Sequence, residues 1–296
     1  MKILITGANG MLGSSLCRIY NNQFKVFAFH RDSHSLTNCF KSFKMDLLDK
    51  DRLRSYFKKI KPNIVIHCAG ITNMEECGKY PEIAYKQNVE VTENIARACF
   101  NKTKLIYIST DQVYGEADDH SEVNINLLPI NQYGKTKLQA EQKVKELCTD
   151  YIIIRTNIFG WNVKQERISS AEWIYYSLRN SDQITLFTDY KFSPIYSGYF
   201  SEIIMELIHL SFKGIINVGS LKVCSKYEFG INIAKEFGFD TSLINKGSIK
   251  NHIFKAQRFN NLELNIKKII DIGISVPNYN DSIKKFVDDR KEFRDV

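Results

Sequence analysis

Short apolar runs alternate with amphipathic stretches of helical length through the first half of the chain. Ile3–Thr6, Phe24–Phe29, Ile64–Cys68, Lys104–Ser109 and Tyr151–Arg155 read as strands, rich in β-branched residues and apolar on both faces. Between them, Met11–Tyr20, Asp49–Ile60, Pro81–Phe100 and Gln132–Leu147 carry the spacing of helices. Pro81 falls near a first turn, where its missing N–H costs nothing. Strands without a polar face need cover on both sides. Strict alternation of strand and helix therefore predicts right-handed crossovers and a doubly wound parallel sheet of the α/β class.

The alternation loosens beyond about residue 156. Ile184–Phe187 and Ile215–Val218 read as later strands, and Phe200–Leu210, Lys226–Phe237 and Ser282–Lys291 as helices. The expected division is a dinucleotide-binding part over residues 1–158, joined by a returning strand near 214–219, and a smaller substrate-binding lobe over 159–296. No repeat or low-complexity linker separates the two, so they are expected to pack together.

Composition narrows the function. A chain of 296 residues with 44% apolar and 25% charged residues is ordinary for a soluble globular protein. The longest apolar runs are strand-sized, and Lys2 leads at once into a strand and glycines, so a cytoplasmic location is expected, with no membrane association. Seven scattered cysteines without a C-x-x-C pair argue against a disulfide framework or a zinc site, and the six histidines lack metal-ligand spacing. No catalytic metal is expected. The net charge of +8 is spread along the chain rather than blocked, which disfavours nucleic acid as a partner.

The most local signal is the turn Gly7-Ala8-Asn9-Gly10-Met11-Leu12-Gly13 between the first strand and first helix. Gly7 permits a sharp turn, Gly10 close approach of backbone N–H groups to a pyrophosphate, and Gly13 tight packing of helix on strand. Phosphates are favoured at a helix N-terminus by unpaired N–H groups and the helix dipole. A merely tight turn is the alternative, but the position directly after a first strand makes a chance match improbable. The fold expectation thereby sharpens to a Rossmann-like sheet. Arg31 follows the second strand where an NAD-selective site carries an acid, and a guanidinium can accept a 2′-phosphate, so NADP(H) is expected over NAD(H). Asp46, with Leu47 beside it, is placed to meet the adenine; a surface acid is its alternative.

Tyr133 and Lys137 stand four apart at the start of a predicted helix and so share one face. An ammonium beside a phenol makes tyrosine a usable acid or base. The predicted strand before that helix ends in Ser109-Thr110-Asp111, which puts Thr110 in the same cleft, able to bond a substrate oxygen.

The glycine turn, Asp46, Cys68-Ala69-Gly70, Asn88, the run Ser109-Thr110-Asp111-Gln112-Val113-Tyr114-Gly115, Tyr133/Lys137 and Arg155-Thr156-Asn157-Ile158-Phe159-Gly160 together resemble the extended short-chain dehydrogenase/reductases that act on nucleotide-activated sugars. The likeness runs over nearly the whole chain, and the S-T-D-x-V run and the chain length most resemble the dTDP-4-dehydrorhamnose reductases. The resemblance implies that Tyr133 protonates a carbonyl oxygen, that Lys137 holds the nicotinamide ribose and tunes Tyr133, and that Thr110 polarises the carbonyl. It implies cofactor contacts from Gly7 through Gly13, from Cys68, Ala69 and Gly70, and from Asn88, which would pair with backbone near the site or simply pack its helix. Asp111, Gln112 and Asn157 would line the sugar pocket, with turn capping as the alternative for Asp111 and Asn157. Arg258 would reach a diphosphate or lie on the surface. Relatives often form homodimers, an assembly open to this chain too, although no self-complementary patch is legible.

Position 112 separates chemistries within the resemblance. The related dehydratases place glutamate there as a base; the amide of Gln112 cannot take a proton at useful strength, which argues against dehydration. The rhamnose-type reductases usually carry tyrosine, so Gln112 leaves the sugar open. Reduction of a 4-keto nucleotide sugar for polysaccharide precursors is the leading expectation. An NAD-holding epimerase, and a non-catalytic regulatory subunit like that of methionine adenosyltransferase, are the alternatives. Trp161, Trp173, and the segment Tyr196–Tyr199 read as packing.

Overall fold

The computed structural model describes residues 1–31, 39–99, 103–163 and 168–290. In its first half the order is β1 (Lys2–Thr6), α1 (Met11–Tyr20), β2 (Lys25–His30), β3 (Lys41–Lys44), α2 (Lys50–Ile60), β4 (Ile64–His67), α3 (Met74–Lys79), α4 (Pro81–Tyr85), α5 (Val91–Ala98), β5 (Lys104–Ile108) and α6 (Gln132–Leu147). The second half adds β6 (Tyr151–Thr156), β7 (Ile158–Phe159), α7 (Ser170–Arg179), β8 (Ile184–Phe187), β9 (Lys191–Phe192), β10 (Ile195–Tyr196) and α8 (Ser197–His209). It closes with β11 (Gly214–Val218), β12 (Cys224–Ser225), α9 (Lys226–Phe237), β13 (Ile244–Gly247), β14 (Asn261–Leu262), α10 (Lys267–Asp271) and α11 (Tyr279–Asp288).

Seven strands form one parallel sheet in the order β11-β6-β5-β4-β1-β2-β3. The chain moves outward from β1 in one direction through β2 and β3, then returns to β1's other side with β4. That reversal makes the carboxyl end of β1 the switch point, where an open α/β sheet leaves a crevice for ligand. The glycine turn occupies it. The late strand β11 returns to the sheet beside β6, pairing Gly214–Val218 with Ile152–Thr156.

Alternation within each strand feeds two cores. Ile3 and Ile5 of β1 pack with Leu16, Ile66, Phe200 and Leu207 on one face. Leu4 points the other way, to Leu53, Val65, Ile95, Leu105 and Val144. A third, aromatic cluster fills the C-terminal lobe around Phe159, Trp161, Tyr175, Phe192, Phe229 and Phe286. Trp161 stacks on Phe286 with ring centroids 4.1 Å apart and donates its indole N–H to the Phe286 carbonyl at 2.7 Å.

Four expectations need correction. Strand β3 was not foreseen; its sequence Lys-Ser-Phe-Lys is that of a sheet edge, where lysines guard open backbone and hydrophobic signal is weak. Pro81–Phe100 is not one regular helix: α4 and α5 are joined by a π-helical turn, Lys86–Glu90, that carries Asn88 into the protein. Phe100 lies outside the described residues. Helix α6 does not follow β5 directly, since a 3-10 turn at Asp111–Val113 and a loop to Asn131 intervene. Ser282–Lys291 is replaced by Tyr279–Asp288, because the Asn278 side chain caps the earlier start by accepting from Asn280 and Asp281 N–H; Lys291 lies outside the described residues. Among the described residues no helix is long and apolar enough to cross a membrane.

Candidate active site

Gly7 adopts φ +66°, and a side chain there would bring its Cβ within 2.7 Å of the Ala69 nitrogen. At Gly13 a Cβ would overlap the Gly7 carbonyl oxygen. Glycine at both places therefore lets α1 and the turn after β4 close on the end of β1. Gly10 caps α1 without a side chain of its own, and no acid lies in the helix's first turn. Unpaired N–H groups with no competing carboxylate fit a pyrophosphate. Asn9 and Met11 are half-buried in this turn, Met11 lying against Gly160, whereas the Leu12 side chain is in the core.

Arg31 is exposed just past the end of β2, and Met45 N–H donates to His30 O at 2.8 Å, which holds Arg31 and Asp46 on one rim. Asp46 accepts from Leu48 N–H at 3.0 Å and so shapes the turn into α2. The Leu47 side chain is buried in the core, leaving only its backbone for a ligand. Cys68 and Ala69 are half-buried beside the glycine turn, and burial pushes the Cys68 thiol up to about 12. Asn88 is buried and clamps the loop after Gly70: it accepts from Ile71 N–H at 2.8 Å and donates to Ile71 O at 3.0 Å and to Thr136 Oγ1 at 3.0 Å.

Helix α6 starts where Asn131 accepts from Gly134 N–H at 2.9 Å. Tyr133 and Lys137 are both buried on its inner face. Lys137 Nζ donates to Ile108 O at 2.6 Å and lies 4.1 Å from the centre of the Tyr107 ring. Among the described residues no carboxylate touches it. Burial pushes its ammonium down to about 7, against the pull of Glu141 one turn on. Glu141 is itself fixed, taking Arg155 Nη2 at 2.7 Å, Arg155 Nε at 3.0 Å and Ser109 Oγ at 2.6 Å. Burial drives the Tyr133 phenol above its ordinary value, the Thr110 hydroxyl pulls it back, and the Asp111 charge adds to the rise. Such a phenol keeps its proton at neutral pH, as a proton donor must.

Thr110, Asp111 and Gln112 form one buried group beside Tyr133. Thr110 Oγ1 donates to Asp111 Oδ1 at 3.0 Å and accepts from Gln112 N–H at 3.3 Å. Asp111 also takes the Gln112 amide at 3.2 Å and the Asn157 amide. Burial raises the Asp111 carboxyl, with Asn157, Gln112 and Thr110 opposing. Asn157 thus reaches the pocket by holding Asp111. Arg258 comes over from the C-terminal lobe, 3.2 Å from Glu75 Oε1 of α3 and 4.6 Å above the Phe254 ring.

Sequence reasoning missed two residues on this face. Lys226 opens α9 and holds its ammonium 3.5 Å from the Phe192 ring centre, with no hydrogen-bond acceptor among the described residues. Burial pushes it down to about 8, while Asp111 pulls it up. Tyr190 is buried next to it and within reach of the Gln112 side chain. Neither sits in a motif; the Ser225–Glu228 capping box that opens α9 is the local signal that could have marked the place.

Residues 1–292 match the family described as the RmlD substrate binding domain. The chain is 27% identical over 288 residues to the probable low-salt glycan biosynthesis reductase of Haloferax volcanii, covering 96% of each. It is 24% identical to the methionine adenosyltransferase 2 subunit beta of Danio rerio, over 93% of this chain and 86% of that one. The crystal structure of the dTDP-4-dehydrorhamnose reductase of Bacillus anthracis in complex with NADP superposes with a TM-score of 0.86 at 27% identity, over 96% of this chain and 98% of the other. The chain therefore belongs to the RmlD substrate binding domain family, in the nucleotide-sugar group of the extended short-chain dehydrogenase/reductases.

Proposed function

We propose that the protein uses NADPH to reduce a 4-keto group on a nucleotide-activated deoxysugar, as a dTDP-4-dehydrorhamnose reductase-like step toward polysaccharide precursors. The observation that carries this reading is the buried Tyr133 phenol, raised above its ordinary value, beside Thr110 and one turn from Lys137. The relative of known structure holds NADP on the same fold. In this chain the Gly7–Gly13 turn and the open N-terminus of α1 would hold the pyrophosphate, and Arg31 the 2′-phosphate. The bound cofactor supplies the hydride.

The remaining steps belong to the protein's own side chains. Tyr133 donates its proton to the sugar oxygen as charge develops there. Thr110 gives that oxygen a second hydrogen bond, for which its proton must leave Asp111; Asp111 keeps the Asn157 and Gln112 amides and stays satisfied. Lys137, anchored by one N–H on Ile108 O, keeps two more for the cofactor ribose, and its charge stabilises the phenolate left behind. Gln112, Tyr190, Lys226 and Arg258 surround the sugar and its phosphates. Purified protein given NADPH and the keto sugar made from dTDP-glucose by a 4,6-dehydratase should consume NADPH.

The likeness to methionine adenosyltransferase 2 subunit beta favours a second reading, a non-catalytic subunit. No turnover on dTDP-, UDP- or GDP-linked keto sugars, with a stable complex formed with another enzyme, would decide for it.

A further inference from the structure

Behind the cleft, buried polar side chains that take no part in the chemistry form one hydrogen-bonded line. Ala69 N–H donates to Thr6 Oγ1 at 3.4 Å, and Thr6 Oγ1 lies 2.6 Å from His67 Nδ1. His67 Nε2 lies 3.1 Å from Thr92 Oγ1, which donates to Asn88 O at 2.6 Å. Asn88 Nδ2 then donates to Thr136 Oγ1, and Thr136 Oγ1 to Tyr133 O at 2.9 Å. Thr6, His67, Thr92 and Thr136 are all wholly buried.

The direction of each bond follows from counting protons. Thr92 has one hydroxyl proton and spends it on Asn88 O, so it can only accept from His67. His67 therefore carries a proton on Nε2, and a neutral ring leaves Nδ1 bare. Thr6 donates to Nδ1, which leaves its lone pair for Ala69 N–H. A neutral imidazole closes the line in this one tautomer. Burial, helped by the Lys137 charge, pushes His67 down to about 3, so the neutral form persists.

The two ends of the line matter. Ala69 is the residue against which Gly7 packs, at the proposed cofactor turn. Tyr133 is the proposed proton donor. We propose that His67, as the neutral Nε2–H tautomer, is a positioning residue that sets the cofactor turn and the Tyr133 helix in register across β4, through Thr6 on one side and Thr92–Asn88–Thr136 on the other. The inference rests on the assignment of Tyr133 as the acid. Hydride transfer is steep in distance: a displacement of about 1 Å can cost on the order of 100-fold in rate. Loss of the line should thus slow turnover without weakening ligand binding.

The test compares His67→Phe, which keeps a ring but neither hydrogen bond, with His67→Gln, which can still donate to Thr92, and with Thr92→Val, which cuts the line one link further on. Each is assayed with NADPH and the dehydratase-generated keto sugar. His67→Phe and Thr92→Val should lose roughly 10- to 100-fold in kcat, with both KM values nearly unchanged, and His67→Gln should recover most of the loss. Nitrogen-15 spectra of histidine-labelled wild-type protein should show His67 protonated at Nε2 and bare at Nδ1, and unchanged through the range where ordinary histidines titrate. A proton on Nδ1, unchanged kcat in Thr92→Val, or a loss expressed through KM would overturn the proposal. If His67→Phe fails to fold, the wild-type spectrum and Thr92→Val still decide. If the wild type reduces no keto sugar, the proposed function fails, while the spectrum still tests the line.

Discussion

The two walls of the cleft hold their polar groups in different ways. On the sheet side, each side chain is fixed by hydrogen bonds at a strand or helix end: Lys137 on Ile108 O, Asn131 on Gly134, and Thr110, Asp111, Gln112 and Asn157 on one another. On the lobe side, the cations lie on aromatic rings, Lys226 over Phe192 with no hydrogen-bond acceptor among the described residues, and Arg258 over Phe254 with one further contact to Glu75. A hydrogen-bond network fixes direction as well as place, whereas a ring face tolerates sliding of the charge above it. The contrast suits a division of labour in which the sheet side sets the chemistry and the lobe side adapts to the sugar.

Substitutions on the two walls should then fail differently. The largest effect is expected from Tyr133→Phe, which should lower kcat by about 10²- to 10⁴-fold while NADPH binding, followed by titration of cofactor fluorescence, stays intact. Next comes Arg31→Ala. Removing a charge-assisted contact of about 1.5–3 kcal/mol should reduce preference for NADPH over NADH by roughly 10- to 100-fold in kcat/KM. An unchanged preference would place the 2′-phosphate elsewhere.

His67 gives a pH effect on the sheet side. Its folded value of about 3 lies below the ordinary 6.5, so the unfolded chain binds the proton first as pH falls. Its contribution to stability is complete above pH 6.5, and is lost progressively from there down toward 3. By pH 5 the loss amounts to about 2 kcal/mol. Urea denaturation of wild type and His67→Phe at neutral and mildly acid pH should show that slope in the first protein only. The smallest effect is expected on the lobe side: Lys226→Met should raise KM for the keto sugar by up to about tenfold with kcat retained, since Lys226 rests on the Phe192 ring and acts on the site through its charge rather than through a hydrogen bond. A kcat loss as large as that of Tyr133→Phe would erase the distinction between the walls.

The same contrast explains what could be read from the chain. The sheet side is written in local patterns: a strand followed by G-x-x-G-x-x-G, a tyrosine and lysine four apart, a strand ending in Ser-Thr-Asp. These short-range constraints survive without knowledge of tertiary contacts. Asp46 and Leu47 illustrate the limit, since one side chain is spent on the Leu48 N–H and the other on the core. The π-helical turn around Asn88 escaped because one extra residue in a helical turn barely disturbs the hydrophobic spacing. Lys226 and Tyr190 escaped for a different reason. They meet Asp111 and Gln112 only because β9, β12 and β14 pair in the lobe, a long-range contact with no local signature.

The most direct test of the account is isotopic. NADPH deuterated at the transferable position of the nicotinamide is given with the dehydratase-generated keto sugar, and the product is examined by mass spectrometry and NMR. The account predicts one deuterium bound to sugar carbon 4 with wild-type protein, at a rate lowered by orders of magnitude in Tyr133→Phe. Deuterium retained on the cofactor, or transferred equally fast by the variant, would contradict it.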